Sequence, residues 1–230
     1  MKFHFFTLFI VLNFGSCESA TTKTSVPADS SDIQKSEQAQ NESELDQKRI
    51  LFFGDSITAG YGIDEKKAFP AIIQQKIDSL GLPWKAVNAG LSGETSAGGL
   101  RRIDWLLREP VHVLVLELGG NDGLRGVAPS DTQENLEKII DRTREKYPDA
   151  VIILAGMQIP PNLGQDYAKA FASVYTTIAR NKNAQLIPFI LEGVGGVPEL
   201  NLPDGIHPTP QGHSIIANTV WESLEQYIYP

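Results

Sequence analysis

From residue 49 to the C-terminus, short apolar runs alternate with segments whose large apolar residues recur every three or four positions. The runs at 49–53, 84–88, 111–117, 150–155 and 185–190 are continuous rather than alternating, as strands covered on both faces are. Between them, Phe69, Ile72, Ile73, Ile77 and Leu80 fall on one helical face, with Pro70 in the first turn, where its missing N–H has no helical partner in any case, and Gly81 as the stop. Leu136, Ile139, Ile140 and Tyr147 predict a second helix behind a cap at Ser130 or Asp131, and Tyr167, Phe171, Val174, Tyr175 and Ile178 a third. Ile216, Val220, Leu224 and Ile228, four apart, predict the last. These stripes are core. Strand-helix alternation builds βαβ units and a parallel sheet, so residues 49–230 read as one three-layer α/β/α domain without internal repeats.

The 48 residues before it are different. The start, "MKFHFFTLFIVLNFGSC", sets one early lysine before an apolar run shorter than the roughly 18 residues a membrane-spanning helix needs, the pattern of an export signal. Its end, Phe14-Gly15-Ser16-Cys17, resembles the lipobox of bacterial lipoproteins, with Phe14 in the place of the more usual Leu. That resemblance implies a lipidated Cys17 at the mature N-terminus and a membrane-anchored protein of the periplasm or outer membrane. Residues 18–48 hold seven acidic and three basic residues and almost no large apolar side chain. Such a composition cannot bury enough surface to offset the entropy of ordering, so a flexible acidic tether is expected.

With 41% hydrophobic and 21% charged residues, the chain has the composition of an ordinary globular protein. Its net charge of −8 and lack of a basic run exclude a nucleic-acid partner, since phosphate neutralisation needs clustered Lys and Arg. Cys17 is the only cysteine, so no disulfide can form within the chain.

Four segments place small or polar residues directly after an apolar run: "GDSITAGYG" at 54–62, "NAGLSGETSAGG" at 88–99, "LGGNDGLRG" at 118–126 and "NLPDGIHPTPQGH" at 201–213. In open α/β sheets, ligands bind beyond the carboxyl ends of the strands. Acyl transfer needs a hydroxyl nucleophile, an imidazole base, a carboxylate that orients the imidazole, and oxyanion donors. Ser56, His207 and Asp204 can supply the first three. Pro203 fixes φ before Asp204, and Pro208 keeps His207 out of the helical region, so the two lie on a stiff loop. The N–H groups of Ser56 and Gly93 and the side chain of Asn121 can supply the donors.

Taken in order, "GDSITAGYG", "SGETSAGG", "GGNDGLRG" and "DGIHP" resemble the four blocks of the SGNH (GDSL) hydrolases, most closely the branch of thioesterase I, lysophospholipases and arylesterases. Ile57 stands where the family name has Leu. The resemblance covers residues 49–230 and implies a flavodoxin-like fold with a five-stranded parallel sheet ordered 2-1-3-4-5. It implies Ser56 as nucleophile, His207 as base, Asp204 as its partner, and Ser56, Gly93 and Asn121 as the oxyanion hole. The implied reaction is hydrolysis of acyl or aryl esters, extending to lysophospholipids or thioesters, through an acyl-enzyme, with no cofactor or metal. Sugar-ester deacetylation is the alternative within the same fold. The segment "GMQIPPNLGQ" resembles the family's acyl-pocket loop, with Met157, Ile159 and Leu163 as its apolar surface.

Other polar residues read as structural. Ser92 and Ser96 are loop or helix-cap residues, His112 a core histidine within a strand, and Glu117 a hydrogen-bonded core carboxylate. His213 could imitate a metal ligand beside Asp204, but no second cluster supports one. A flavin carrier of similar topology would leave Asp204 and His207 unexplained, and an α/β-hydrolase would need a glycine where Thr58 stands. A non-catalytic lipid- or glycan-binding lipoprotein would not need the complete set.

Overall fold

The computed structural model describes residues 47–229. Five strands, β1 (Lys48–Gly54), β2 (Trp84–Asn88), β3 (Val113–Glu117), β4 (Val151–Ala155) and β5 (Gln185–Ile187), form one parallel sheet in the order β2-β1-β3-β4-β5. All of β3 and the last five residues of β1 are buried, which is why both read as unbroken apolar runs. Parallel neighbours require long crossovers, and among the described residues six α-helices lie between the strands and a seventh follows β5. They are α1 (Ser56–Ala59), α2 (Phe69–Ser79), α3 (Ser96–Leu106), α4 (Gly120–Leu124), α5 (Pro129–Lys146), α6 (Gln165–Asn181) and α7 (Pro210–Ile228). Helix α2 packs on α7, whereas α3 packs on α5 and α5 on α6. Right-handed crossovers put these two groups on opposite faces of the sheet, giving three layers.

The strand order reverses between β1 and β3, which pair as far as Gly54 opposite Glu117. That switch point opens a crevice at the carboxyl ends of the two strands.

Several boundaries differ from expectation. Lys48 already belongs to β1, so that strand starts one residue earlier. β3 starts at Val113, leaving His112 before the strand. β5 stops at Ile187, because Pro188 has no N–H to give a ladder. The second long helix starts at Pro129 with Ala128 as its cap, so Ser130 and Asp131 lie inside its first turn instead of capping it. Helix α3 carries no clear periodic signal, with two glycines in its first turn. The Thr95 side chain starts it by accepting from the Gly98 N–H, and Ile103 and Leu106 bury it against the core. The predicted signal at 1–17, Cys17 and nearly all of the tether lie outside the described residues. No helix among the described residues is long and apolar enough to cross a membrane.

Candidate active site

β1 gives way to α1 after a single residue, so Ser56 becomes the first residue of a helix at the sheet's carboxyl edge. The Asp55 side chain caps that helix, its Oδ1 accepting from the Ile57 N–H at 3.0 Å. Gly54 is dictated by space: a Cβ there would fall 2.0 Å from Thr58 Oγ1 and 2.4 Å from Glu117 Oε2.

His207, 151 positions further on, brings Nε2 to 3.0 Å from Ser56 Oγ, and its Nδ1 lies 2.8 Å from Asp204 Oδ2. An ionised carboxylate can only accept, so Nδ1 carries the proton and the Nε2 lone pair faces the serine hydroxyl. The other carboxylate oxygen of Asp204 accepts from the backbone N–H groups of Ile206, at 2.9 Å, and His207, at 3.0 Å. These bonds, the His207 N–H first, hold the Asp204 carboxyl down at about 2, so it is ionised throughout the range in which a histidine titrates. The loop also closes on itself: the Leu202 N–H donates to the His207 carbonyl at 2.7 Å, and Asn201 and Pro208 form an antiparallel bridge. The Tyr61 ring lies 4.5 Å from the imidazole, centroid to centroid.

Of the expected oxyanion donors, Ser56 and Asn121 border the crevice, and Gly93 lies on the loop that follows β2. The N–H groups of Ser56 and Gly93 have no acceptor among the described residues. Gly93 has φ +79°, a conformation that side chains resist, and its carbonyl accepts from the Arg125 guanidinium at 3.3 Å. Its loop is pinned further: Arg102 is paired with buried Glu94 and donates to the Ala89 carbonyl at 2.8 Å, and the Leu91 N–H donates to the Gly54 carbonyl at 3.0 Å. Asn121, in α4, donates one side-chain N–H to Asp55 Oδ2 at 3.0 Å, and the second is uncommitted.

Ser56, Asn121 and His207 border a cavity of about 440 Å³, a size suited to a small-molecule ligand. Its apolar wall is Ile57, Leu124, Met157, Ile159, Phe189, Leu191 and Ile206. Met157 and Ile159 were expected there, but Leu163 is not part of the wall. After Pro160 the chain enters a 3₁₀ turn, Pro161–Leu163, that leaves Leu163 46% exposed. Leu124, Phe189, Leu191 and Ile206 escaped sequence reasoning, since they come from separate segments and no local pattern marks them.

Beneath the serine lies a buried carboxylate pair. Glu117 Oε2 accepts from the Asp55 N–H at 3.2 Å and the Thr58 hydroxyl at 2.7 Å, while Oε1 has no partner among the described residues. Burial first, and the nearby Asp55 charge second, push the Glu117 carboxyl well above the usual range. Burial also pushes Asp55 up, to about 6, against the pull of its Ile57 and Asn121 donors.

The remaining candidates are structural. His112 is partly exposed, and its Nδ1 accepts from the Arg49 N–H at 3.0 Å. His213 is fully buried and accepts from the Phe69 N–H at 3.2 Å, and its desolvation holds it down at about 4. Ser92 is exposed in a turn. Ser96 is buried within α3, its N–H bonded to Asp122 at 2.8 Å, while Thr95 provides the cap. Among the described residues no group of His, Cys, Asp and Glu side chains is arranged to hold a metal ion.

The model of the GDSL-like lipase/acylhydrolase family matches residues 52–215. The chain is 43% identical over 177 residues to esterase TesA of Pseudomonas aeruginosa, covering 76% of this chain and 87% of that protein. It is 37% identical over 181 residues to thioesterase 1/protease 1/lysophospholipase L1 of Escherichia coli, covering 78% and 84%. Among solved structures, the psychrotrophic esterase EstA from Pseudoalteromonas sp., inhibited by monoethylphosphonate, superimposes with a TM-score of 0.75 at 33% identity, covering 79% of this chain and 98% of that one.

Proposed function

The chain belongs to the GDSL-like lipase/acylhydrolase family and is a serine ester hydrolase, and on that premise we propose that Ser56, His207 and Asp204 carry its turnover. The observation that supports this most is the unbroken line from Ser56 Oγ through His207 to Asp204 at the mouth of an apolar cavity. As Ser56 Oγ attacks the ester carbonyl, its proton passes to His207 Nε2. The N–H groups of Ser56 and Gly93 and the Asn121 side chain receive the oxyanion, each worth about 2.7–4 kcal/mol at the transition state. Collapse expels the alcohol with the proton from His207, leaving an acyl group on Ser56, and a water activated by the same imidazole releases the acid. Asp204, charged throughout, stabilises the imidazolium formed in each half.

The apolar wall suits an acyl chain better than a bare acetyl group, which favours lysophospholipids, other acyl esters and thioesters over acetylated glycans as substrates. A panel of aryl esters of increasing acyl length, lysophosphatidylcholine and acetylated xylan tests this: acyl or aryl esters turned over faster than the xylan are expected, and the reverse would overturn the acyl reading. A fluorophosphonate probe should label the parent and fail on Ser56→Ala, and persistent labelling would refute the nucleophile.

The N-terminal reading belongs to the same proposal: an export signal at 1–17, a lipidated Cys17 and a tether at 18–48 that holds the enzyme beside a membrane of the periplasm or outer membrane. Its support is the sequence alone. Cys17→Ala should move the protein from membrane to soluble fractions, and unchanged partitioning would refute lipidation.

A further inference from the structure

The Asp55 carboxylate has two oxygens, and each serves one donor. Oδ1 accepts from the Ile57 N–H at 3.0 Å, capping α1, and Oδ2 accepts from Asn121 Nδ2 at 3.0 Å. A carboxamide fits its site in two orientations that exchange oxygen for nitrogen, and only its hydrogen bonds choose between them. We infer that Asp55 is a positioning residue for the oxyanion site: it fixes the Asn121 carboxamide so that the amide presents an N–H, and not a carbonyl lone pair, to the reacting centre. The inference rests on the proposed role of Asn121 as an oxyanion donor.

The surroundings support it. Asp55 is 2% exposed and lines the cavity beside Ser56 and Asn121. Its backbone N–H is held by Glu117 Oε2, which also takes the Thr58 hydroxyl, so the turn is gripped on both sides of the serine. Both oxygens of Asp55 receive N–H donors, so its carboxylate is the acceptor that Asn121 meets. An asparagine at position 55 could not do both tasks. It has one carbonyl oxygen for two donors, and if that oxygen caps Ile57 its NH₂ group faces Asn121. The Asn121 amide must then turn its oxygen toward position 55, which places a lone pair where the free N–H had been.

The test is the steady-state kinetics of a soluble aryl ester with the parent, Asp55→Asn, Asn121→Ala and the double variant. Asp55→Asn should lower kcat by about 10²–10³, the effect of one oxyanion donor, with KM changed only a few-fold. Asn121→Ala should fall comparably, and the double variant no further than Asn121→Ala. Asparagine caps helices as well as aspartate does, so a purely structural Asp55 would leave Asp55→Asn near parental kcat, and that result would overturn the inference. Losses that multiply in the double variant would also overturn it, since they mean that the two side chains act independently. Parental activity in Asn121→Ala would instead remove the premise, the role of Asn121. Melting curves establish that each variant is folded. Should Asp55→Asn not fold, the parent protein carries a second readout, the Asn121 side-chain NH₂ resonance, assigned by its loss in Asn121→Ala. One of its two protons should be shifted downfield by the carboxylate, and two protons at the positions of a free amide would refute the bond.

Discussion

His213 sits in the first turn of α7 with no exposed surface, accepting from the Phe69 N–H through Nδ1 while Nε2 has no partner among the described residues. A charge there would lose its water and gain nothing, so desolvation lowers the imidazole from 6.5 to about 4. In the unfolded chain the ring takes a proton as the pH falls through 6.5, and in the folded protein it does so only near 4. Stability from the neutral ring is therefore fully present above 6.5 and lost as the pH falls through about 4. The gap of about 2.5 units between these two values corresponds to roughly 3 kcal/mol, to be read as an order of magnitude. His213→Asn keeps a short polar side chain able to accept from Phe69 but cannot titrate. Urea unfolding of both proteins from pH 7.5 to pH 4 isolates this group, because every other titration is common to the two. The parent should lose more stability than the variant over that window. Parallel curves would refute a neutral buried ring.

Glu117 predicts the opposite slope: its folded carboxyl is raised, so its stabilising contribution is complete below 4.5 and declines as the pH rises above it, and Glu117→Gln should gain on the parent in urea melts from pH 5 to pH 8. Gly54→Ala forces a methyl group into Thr58 and Glu117 and should destabilise the fold by about 1–3 kcal/mol, read as a lower Tm. Asp204→Asn should lower kcat by several orders of magnitude, up to about 10⁴, by allowing the wrong imidazole tautomer, and a parental rate would reduce Asp204 to a turn residue. Ile159→Trp should shorten the preferred acyl chain in an aryl-ester series, whereas Leu163→Trp, outside the cavity wall, should not.

Much of this architecture was legible because buried parallel strands and amphipathic helices leave periodic marks. Ile50 to Phe53 and Val113 to Leu116 are apolar at every position for the same reason that they are buried on both faces. Three of the four polar segments were legible because the topology puts strand ends together whatever their separation in sequence, whereas the fourth, at 201–213, lies well beyond the end of β5 and leads into α7. What stayed hidden depends on partners rather than on pattern. Helix α3 contains Gly98 and Gly99 and is held by the Thr95 cap and the core contacts of Ile103. The cavity wall draws Phe189 from the end of a run that reads as a strand, Leu191 from just beyond it and Ile206 from between Asp204 and His207, and no periodicity links the three. Leu163 looked equivalent to Ile159, and only the turn after Pro160 separates them. Nothing in "GDS" announces that its aspartate reaches Asn121, 66 positions away.

The closed loop from Asn201 to Pro208 has a mechanical consequence. It holds Asp204 and His207 by bonds among neighbours, through Asp204 Oδ1, the Leu202 N–H and the bridge at its base. The acid and the base thus form a preassembled cartridge, and the joint on which catalysis turns is the 3.0 Å gap that the global fold sets between that cartridge and Ser56. On the proposed roles, warming should loosen this joint first, so activity fades below the melting transition while the histidine keeps its carboxylate. Tying the loop more tightly to α1, without touching the sheet, is then the direct route to an enzyme that works at higher temperature.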